Sequence, residues 1–181
     1  IKRLVERGRL FCTTHQIATV NVDFLVNALA HDDLMHILQS ADACIPDGMP
    51  IVWGSGPLGM PLRERVAGAD LVPLLIDRSR AFGWHVHVFG STPEVADAAR
   101  ILLDSRFPGA RFTIDPGEII PDPANVPDSV IESIAAVGAD IVCVALGNPK
   151  QERFIAANRH RIGAPVMIGV GGSLDMLVGK R

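Results

Sequence analysis

The chain has 181 residues, 48% of them hydrophobic and 20% charged, with a formal net charge of -3. That length suits one domain burying roughly 70% of the surface its unfolded chain would expose, and the apolar content excludes a disordered chain. A charge so near balance gives no general pull toward nucleic acid or an anionic membrane, so any basic site must be local.

Residues 1–12 form a short basic, partly apolar stretch that reads as a helix followed by a strand. Ile17 to Asn21 is strand-like, and the stretch from Asp23 through Leu38 has apolar residues at helical spacing. Its His31, Asp32, Asp33 and His36 read as a solvated helix face, since their spacing forms no metal cage. Ala41 to Ile45 is a second strand, closed by the corner Pro46-Asp47-Gly48. Ile51-Val52-Trp53 and the Gly/Pro-rich run after it predict an irregular connection or lid. Leu71 to Phe82 is an amphipathic helix ended by Gly83, and Trp84 to Phe89 alternates as a strand. Thr92-Pro93-Glu94 opens a helix that runs to Phe107.

Ala110 to Ile114 is a further strand, and the prolines between Asp115 and Pro127 predict a long irregular excursion. Val130 to Val137 is helical. Ile141 to Leu146 and Val166 to Val170 are unbroken apolar strands, with a helix between them to about Arg161 and a helical start through Asp175 after them. Alternating strands and helices, with late strands apolar on both faces, predict an α/β fold, Rossmann-like, with a mainly parallel sheet and helices on both faces. No apolar run approaches the ~18 residues of a membrane span, and the first residues do not read as a signal peptide. Cys12, Cys44 and Cys143 are far apart with no C-x-x-C pair, which predicts reduced core thiols of a cytosolic protein.

Ligands of such sheets bind beyond the carboxyl ends of the strands. There the sequence puts Thr19 and Asn21, then Asp47, Gly90-Ser91-Thr92, Gly147-Asn148-Pro149-Lys150-Gln151, and Gly171-Gly172-Ser173 with Asp175. Three glycine-bearing turns that each open a helix, one beside Lys150, suit a nucleotide or sugar-nucleotide, because free helix N–H groups favour phosphate. The alternative is that they are ordinary tight turns. No G-x-G-x-x-G follows the first strand, and P-loop and G-x-S-x-G motifs are missing, which argues against a standard dinucleotide dehydrogenase, a P-loop NTPase and an α/β-hydrolase. No D-x-D is present either, so a nucleotide-sugar enzyme here would neutralise its leaving group with amides and cations.

Thr19-Val20-Asn21, Pro46-Asp47-Gly48, Glu64 to Asp70, Gly147 to Glu152 and Gly169 to Asp175, in this order and spacing, resemble the WecG/TagA/CpsF glycosyltransferases, glycosyltransferase family 26. The match spans residues 13–181. The resemblance implies an inverting, metal-independent transferase without a cofactor. It would move N-acetylmannosamine, its uronic acid or glucose from a UDP donor to an undecaprenyl-diphosphate-linked sugar at the cytoplasmic membrane face. Products of such enzymes feed wall teichoic acid, enterobacterial common antigen, capsule or exopolysaccharide. By the family's pattern Asp47 matches the general base, with Thr19, Asn21, Arg65 and Gln151 around the pocket. The glycine turns, with Gly90, Ser91, Gly147, Asn148, Lys150, Gly171 and Gly172, would hold nucleotide or phosphate, and Asp175 would touch substrate.

Chemistry agrees, since an inverting transfer needs one base to take the acceptor hydroxyl's proton. Arg65 and Lys150 can offset charge on UDP, and Asn21 and Gln151 carry both donors and acceptors for sugar hydroxyls. Structural alternatives stay open: Asp47 capping a helix that starts near Gly48, and Arg65 with Asp70 as a helix-entry salt bridge. Family members continue beyond Gly179-Lys180 into a basic appendage that completes the pocket and contacts the membrane. The expectation is therefore a single core, 1–181, without that segment. Its activity alone is in question, and bared apolar surface would drive self-association into a homo-oligomer. Rival readings are a non-catalytic nucleotide-sugar sensor or assembly subunit and, more weakly, a hydrolase or epimerase.

Overall fold

The computed structural model describes residues 1–117 and 120–180. Its strands are β1 His15–Val20, β2 Ala43–Pro46, β3 Val86–Phe89, β4 Phe112–Asp115, β5 Ile141–Val144 and β6 Val166–Gly169. They form one sheet in the order β2-β1-β6-β5-β3-β4, every pair parallel. The expected Rossmann-like α/β architecture is therefore present. The sheet's pleat explains the apolar runs: Ile141, Cys143, Val166 and Ile168 enter one core, while Val142, Val144 and Met167 enter the other.

Helices cover both faces. One face carries α1 Lys2–Phe11, α5 Gly68–Phe82, α6 Pro93–Arg106 and α9 Ser173–Leu177. The other carries α2 Val22–Ala30, α3 Asp32–Ser40, α7 Asp128–Ala136 and α8 Lys150–Ile162. Crossovers that move toward the β2 edge use α2–α3, α7 and α8, and those that move toward the β4 edge use α5 and α6. One handedness thus governs every crossover. Its consequence is that the chain leaves β1 and β5 toward one face and leaves β6 and β3 toward the other. A crevice opens at the carboxyl edge wherever such neighbours part: beside β6, and again between β5 and β3.

Local chemistry sets the helix ends. Thr92 Oγ1 accepts from the Val95 amide at the start of α6, with Pro93 following, and Gly83 closes α5 in the left-handed conformation. Four expectations are corrected. Residues 2–11 are one helix with no strand, because Val5 and Gly8 turn one face of it onto the core while its basic residues stay outside. The stretch after Asn21 is two helices, broken at His31 in extended backbone, where Asp32 and Asp33 favour a new helix start. Residues 49–55 are a helix, α4 Met49–Ser55, because Pro50 in the first turn supports helix initiation. Only Cys143 is a core thiol, burial pushing it up to about 12, whereas Cys12 and Cys44 are exposed. Between Asp115 and Asp128 the described residues form neither helix nor strand, and residues 118 and 119 of that expected excursion lie outside the described residues.

His87, 2% exposed on β3, hydrogen-bonds Thr113 at 2.9 Å, and burial lowers its pKa to about 4. The unfolded chain therefore binds its proton more readily, and the stability tied to this group is lost as pH falls from about 6.5 through about 4. The full effect is at most about 3 kcal/mol. Denaturant titrations of the wild type and His87→Asn across that range are expected to show a shallower acid slope in the variant.

Candidate active site

A cleft of about 340 Å³ opens at the carboxyl edge beside β6. Thr19 at the end of β1, Asp47 after β2, Gly147 and Asn148 after β5, and Gly171 to Ser173 after β6 line it, with Arg65 to Ala69 closing one side. Gly147 and Gly171 have φ of 76° and 57°, and space around each is open, so their backbones face the cleft uncovered. Gly68 is different: a side chain there would stand 2.7 Å from the Val170 carbonyl, so the start of α5 packs directly on the β6 exit.

Asp47 follows the last residue of the edge strand. Its amide donates to Val20 O at 2.8 Å, and the Val66 amide donates to Pro46 O at 2.8 Å, so both ends of the excursion 47–65 are tied to the sheet. The carboxyl is half-buried. Burial raises its pKa, the Gly68 amide and the Arg65 charge pull it back, and Asp70 adds to the rise. The residue before α4 is Gly48, which has no side chain to cap it, and the helix start that the Asp47 carboxyl meets is that of α5, through the Gly68 amide. Arg65 meets Asp70 at 3.4 Å with both side chains well exposed, a pairing worth at most about 1 kcal/mol. The guanidinium can turn to an anion in the cleft.

The model of the glycosyl transferase WecG/TagA/CpsF family matches residues 1–181, the whole chain. The chain belongs to this family. A Bacillus spizizenii relative, N-acetylglucosaminyldiphosphoundecaprenol N-acetyl-beta-D-mannosaminyltransferase, is 34% identical over 164 residues, 91% of this chain and 62% of the relative. A Staphylococcus aureus relative of the same description is 29% identical over 165 residues, 91% of this chain and 63% of the relative. The chain thus spans somewhat under two thirds of the length of these relatives.

Of the residues that match the family's pattern, Thr19, Asn21, Asp47, Arg65 and Gln151 all line this one cleft. Several are engaged inside the protein. Thr19 Oγ1 donates to Gly169 O at 2.7 Å, which leaves its lone pairs, and Asn21 Oδ1 caps α2 by accepting from the Phe24 amide at 2.8 Å, which leaves its amide donors. Gln151 is 2% exposed, with Nε2 donating to Glu152 Oε1 and Oε1 accepting from the Gly171 amide, both at 2.7 Å. Asp175, on the first turn of α9, does not line the cleft.

The three glycine turns do not share one rim. Ser91 and Lys150 line a second hollow of about 560 Å³, between the exits of β3 and β5, with Thr92, Ala145 and Leu146. Gly90, at φ 108°, is explained by the fold, since a side chain there would meet Ala145 O at 2.9 Å. Ser91 Oγ is buried with no hydrogen-bond partner among the described residues. Also among the described residues, no three His, Cys, Asp or Glu side chains converge as a cation cage.

Glu152 is the residue sequence reasoning passed over. It is 1% exposed, accepts from Gln151 Nε2 and, at 3.2 Å, from Asn148 Nδ2, and burial raises its pKa to about 7. In the sequence it looks like an ordinary acid in a helix's first turn, and only the adjacent amide-bearing Asn148 and Gln151 hint otherwise. The folded chain holds this proton to higher pH than the unfolded chain. Stability is therefore expected to decline, on this group's account, as pH rises from about 4.5 through about 7, and Glu152→Gln to remove that slope in denaturant titrations. Gly169→Ala would put a methyl 2.6 Å from Gln151 Nε2 and 3.0 Å from Glu152 Oε1. It is expected to cost about 1–3 kcal/mol in a thermal melt.

Proposed function

We propose that this chain is the core of an inverting, metal-independent transferase that moves a hexose of the N-acetylmannosamine, mannosaminuronic acid or glucose type from a UDP donor. The acceptor is a sugar on undecaprenyl diphosphate, as the names of the relatives indicate for them. The enzyme works peripherally at the inner face of the bacterial membrane, in the assembly of cell-surface polysaccharide. The observation that carries the reading is Asp47: a half-buried carboxyl, its pKa raised by burial, in one cleft with the exposed charge of Arg65 and the uncovered backbone at Gly147 and Gly171.

The acceptor hydroxyl oxygen attacks the anomeric carbon as its proton passes to Asp47. The bond from that carbon to the diphosphate oxygen breaks, and UDP leaves with the electron pair. Arg65 and the backbone amide of Gly172 stabilise the charge that develops there. Thr19 and Asn21, each with polar capacity left over, hold sugar hydroxyls. Gln151 works through the Gly171 amide that it fixes. The hollow at Ser91 and Lys150 takes the far end of the donor, where the exposed ammonium of Lys150 supplies a polar contact.

Asp47→Asn is expected to lower transfer by roughly 10²–10⁴-fold while leaving UDP affinity, measured by calorimetry, nearly intact. Undiminished transfer by the variant would remove Asp47 from the role. UDP binding without product from the wild type at any enzyme concentration would leave a non-catalytic nucleotide-sugar binder instead. The wild-type rate should rise with pH through the pKa of Asp47, and that acid limb should lie above the ordinary carboxylate range.

A further inference from the structure

Residues 48–62, between the two cleft-lining residues Asp47 and Arg65, contain no charged side chain. This stretch is not core: no residue of α4 is buried, Trp53 is 67% exposed, Leu58 81% and Met60 76%, with Met49 and Leu62 also exposed. Met49 and Trp53 stand one turn apart on the same face of α4. The run beyond folds back on the helix, the Met60 amide donating to Ser55 O at 3.1 Å and the Leu62 amide to Ser55 Oγ at 2.9 Å. Five large apolar side chains are thereby gathered on one short projection. Arg63, Glu64 and Arg65 follow at its base, a net charge of one plus.

We propose that this projection is a bilayer-docking surface, inserting Trp53, Leu58 and Met60 among the lipids of an anionic membrane. Trp, Leu and Met beside Arg, without acidic residues among the inserted side chains, is the composition that settles at the headgroup boundary, where apolar burial and attraction to anionic lipid act together. The patch is too small for the rival occupant. A stable interface with a second copy takes roughly 20–30 residues a side, whereas the uncharged stretch has 15, only five of them large exposed apolar residues. Position supports the same occupant. The residues that flank the stretch, Asp47 and Arg65, line the cleft, so docking it would present the cleft to the membrane surface, where a polyprenyl-linked acceptor has its sugar. This last step rests on the function proposed above, while the docking itself does not.

The test uses the whole chain with vesicles of phosphatidylglycerol and phosphatidylcholine, and with vesicles of phosphatidylcholine alone. Trp84 is already buried, so a change in tryptophan emission on binding reports Trp53. Co-sedimentation with the anionic vesicles and a shift of emission to shorter wavelength are expected. The triple variant Trp53→Ser, Leu58→Ser, Met60→Ser should bind at least about tenfold more weakly. Arg63→Gln should bind more weakly in low salt and reduce the salt dependence. Because these positions are exposed, circular dichroism should show all variants folded. No binding and no emission shift by the folded wild type would overturn the proposal. So would a wild-type oligomer that the triple variant turns into monomer while vesicle binding is unchanged, since the patch would then be a contact between copies. Transfer to a short-chain, water-soluble acceptor, assayed without vesicles, separates the two readings. Docking without transfer leaves this proposal standing and defeats the enzymatic one, and transfer without docking does the reverse.

Discussion

The cleft depends on one buried side-chain amide. Gln151, in the first turn of α8, holds the Gly171 amide with its oxygen and the Glu152 carboxyl with its nitrogen, and so ties the exit of β6 to the start of the helix that precedes that strand. Gly169 makes the room, since any side chain there would occupy the place of the amide. Thr19 adds β1 to the same point through the Gly169 carbonyl. Every polar atom of Gln151 so described has a partner, which is the condition under which a buried polar joint fixes geometry rather than costing stability. The uncovered turn at Gly171 is thereby held still at the place where a ligand would meet it.

Two carboxyls lie near this joint, and burial raises the pKa of both, yet they are suited to different work. Glu152 is enclosed and ringed by donors from Asn148, Gln151 and its own backbone, so its oxygens have nowhere to send a proton but back into the protein. It organises amides. Asp47 has one side in the cleft, a cation at hand in Arg65, and the Gly68 amide at the start of α5 as a donor. Only a carboxyl so placed can reach a proton on a bound hydroxyl, because a base needs hydrogen-bond contact before its pKa matters. Had the cleft been judged by pKa alone, Glu152 would have been chosen, and geometry reverses that choice.

Much of the architecture could be read from the chain. Unbroken apolar runs at Ile141 and Val166 announced strands buried on both faces, and Thr92-Pro93 and Gly83 announced helix ends, because those signals are local. The same reasoning misread residues 49–55, where glycines and prolines after α4 masked the start that Pro50 supports, and it ran α2 into α3 because apolar spacing survives the break at His31. The gathering of Thr19, Asn21, Asp47 and Gln151 in one cleft was legible through strand ends, and Arg65 only through the resemblance to the family. What no local pattern could reveal was the strand order. With β5 beside β3 and β6 beside β1, the glycine turns divide between two hollows, and Gly90 turns out to serve backbone packing. Nor does a sequence say that Gln151 and Asn21 have part of their hydrogen-bonding capacity engaged before any ligand arrives.

The excursion 47–65 joins the surface to the chemistry. Its ends are pinned by backbone bonds to Val20 and Pro46, and one end bears the carboxylate while the other bears the guanidinium. The arginine's tie to Asp70 is weak, so the segment between them sets much of where the charge rests. A change in the arrangement of that segment acts on Asp47 and Arg65 through the chain that joins them. Under the docking and the transfer proposed above, coupling of this kind is reciprocal in binding free energy: a membrane that held the projection in the arrangement the donor prefers would raise donor affinity by the same factor by which donor raised membrane affinity. An apolar stretch rooted at Asp47 and Arg65 is thus linked to the cleft by chain connectivity alone, without a relay through the core.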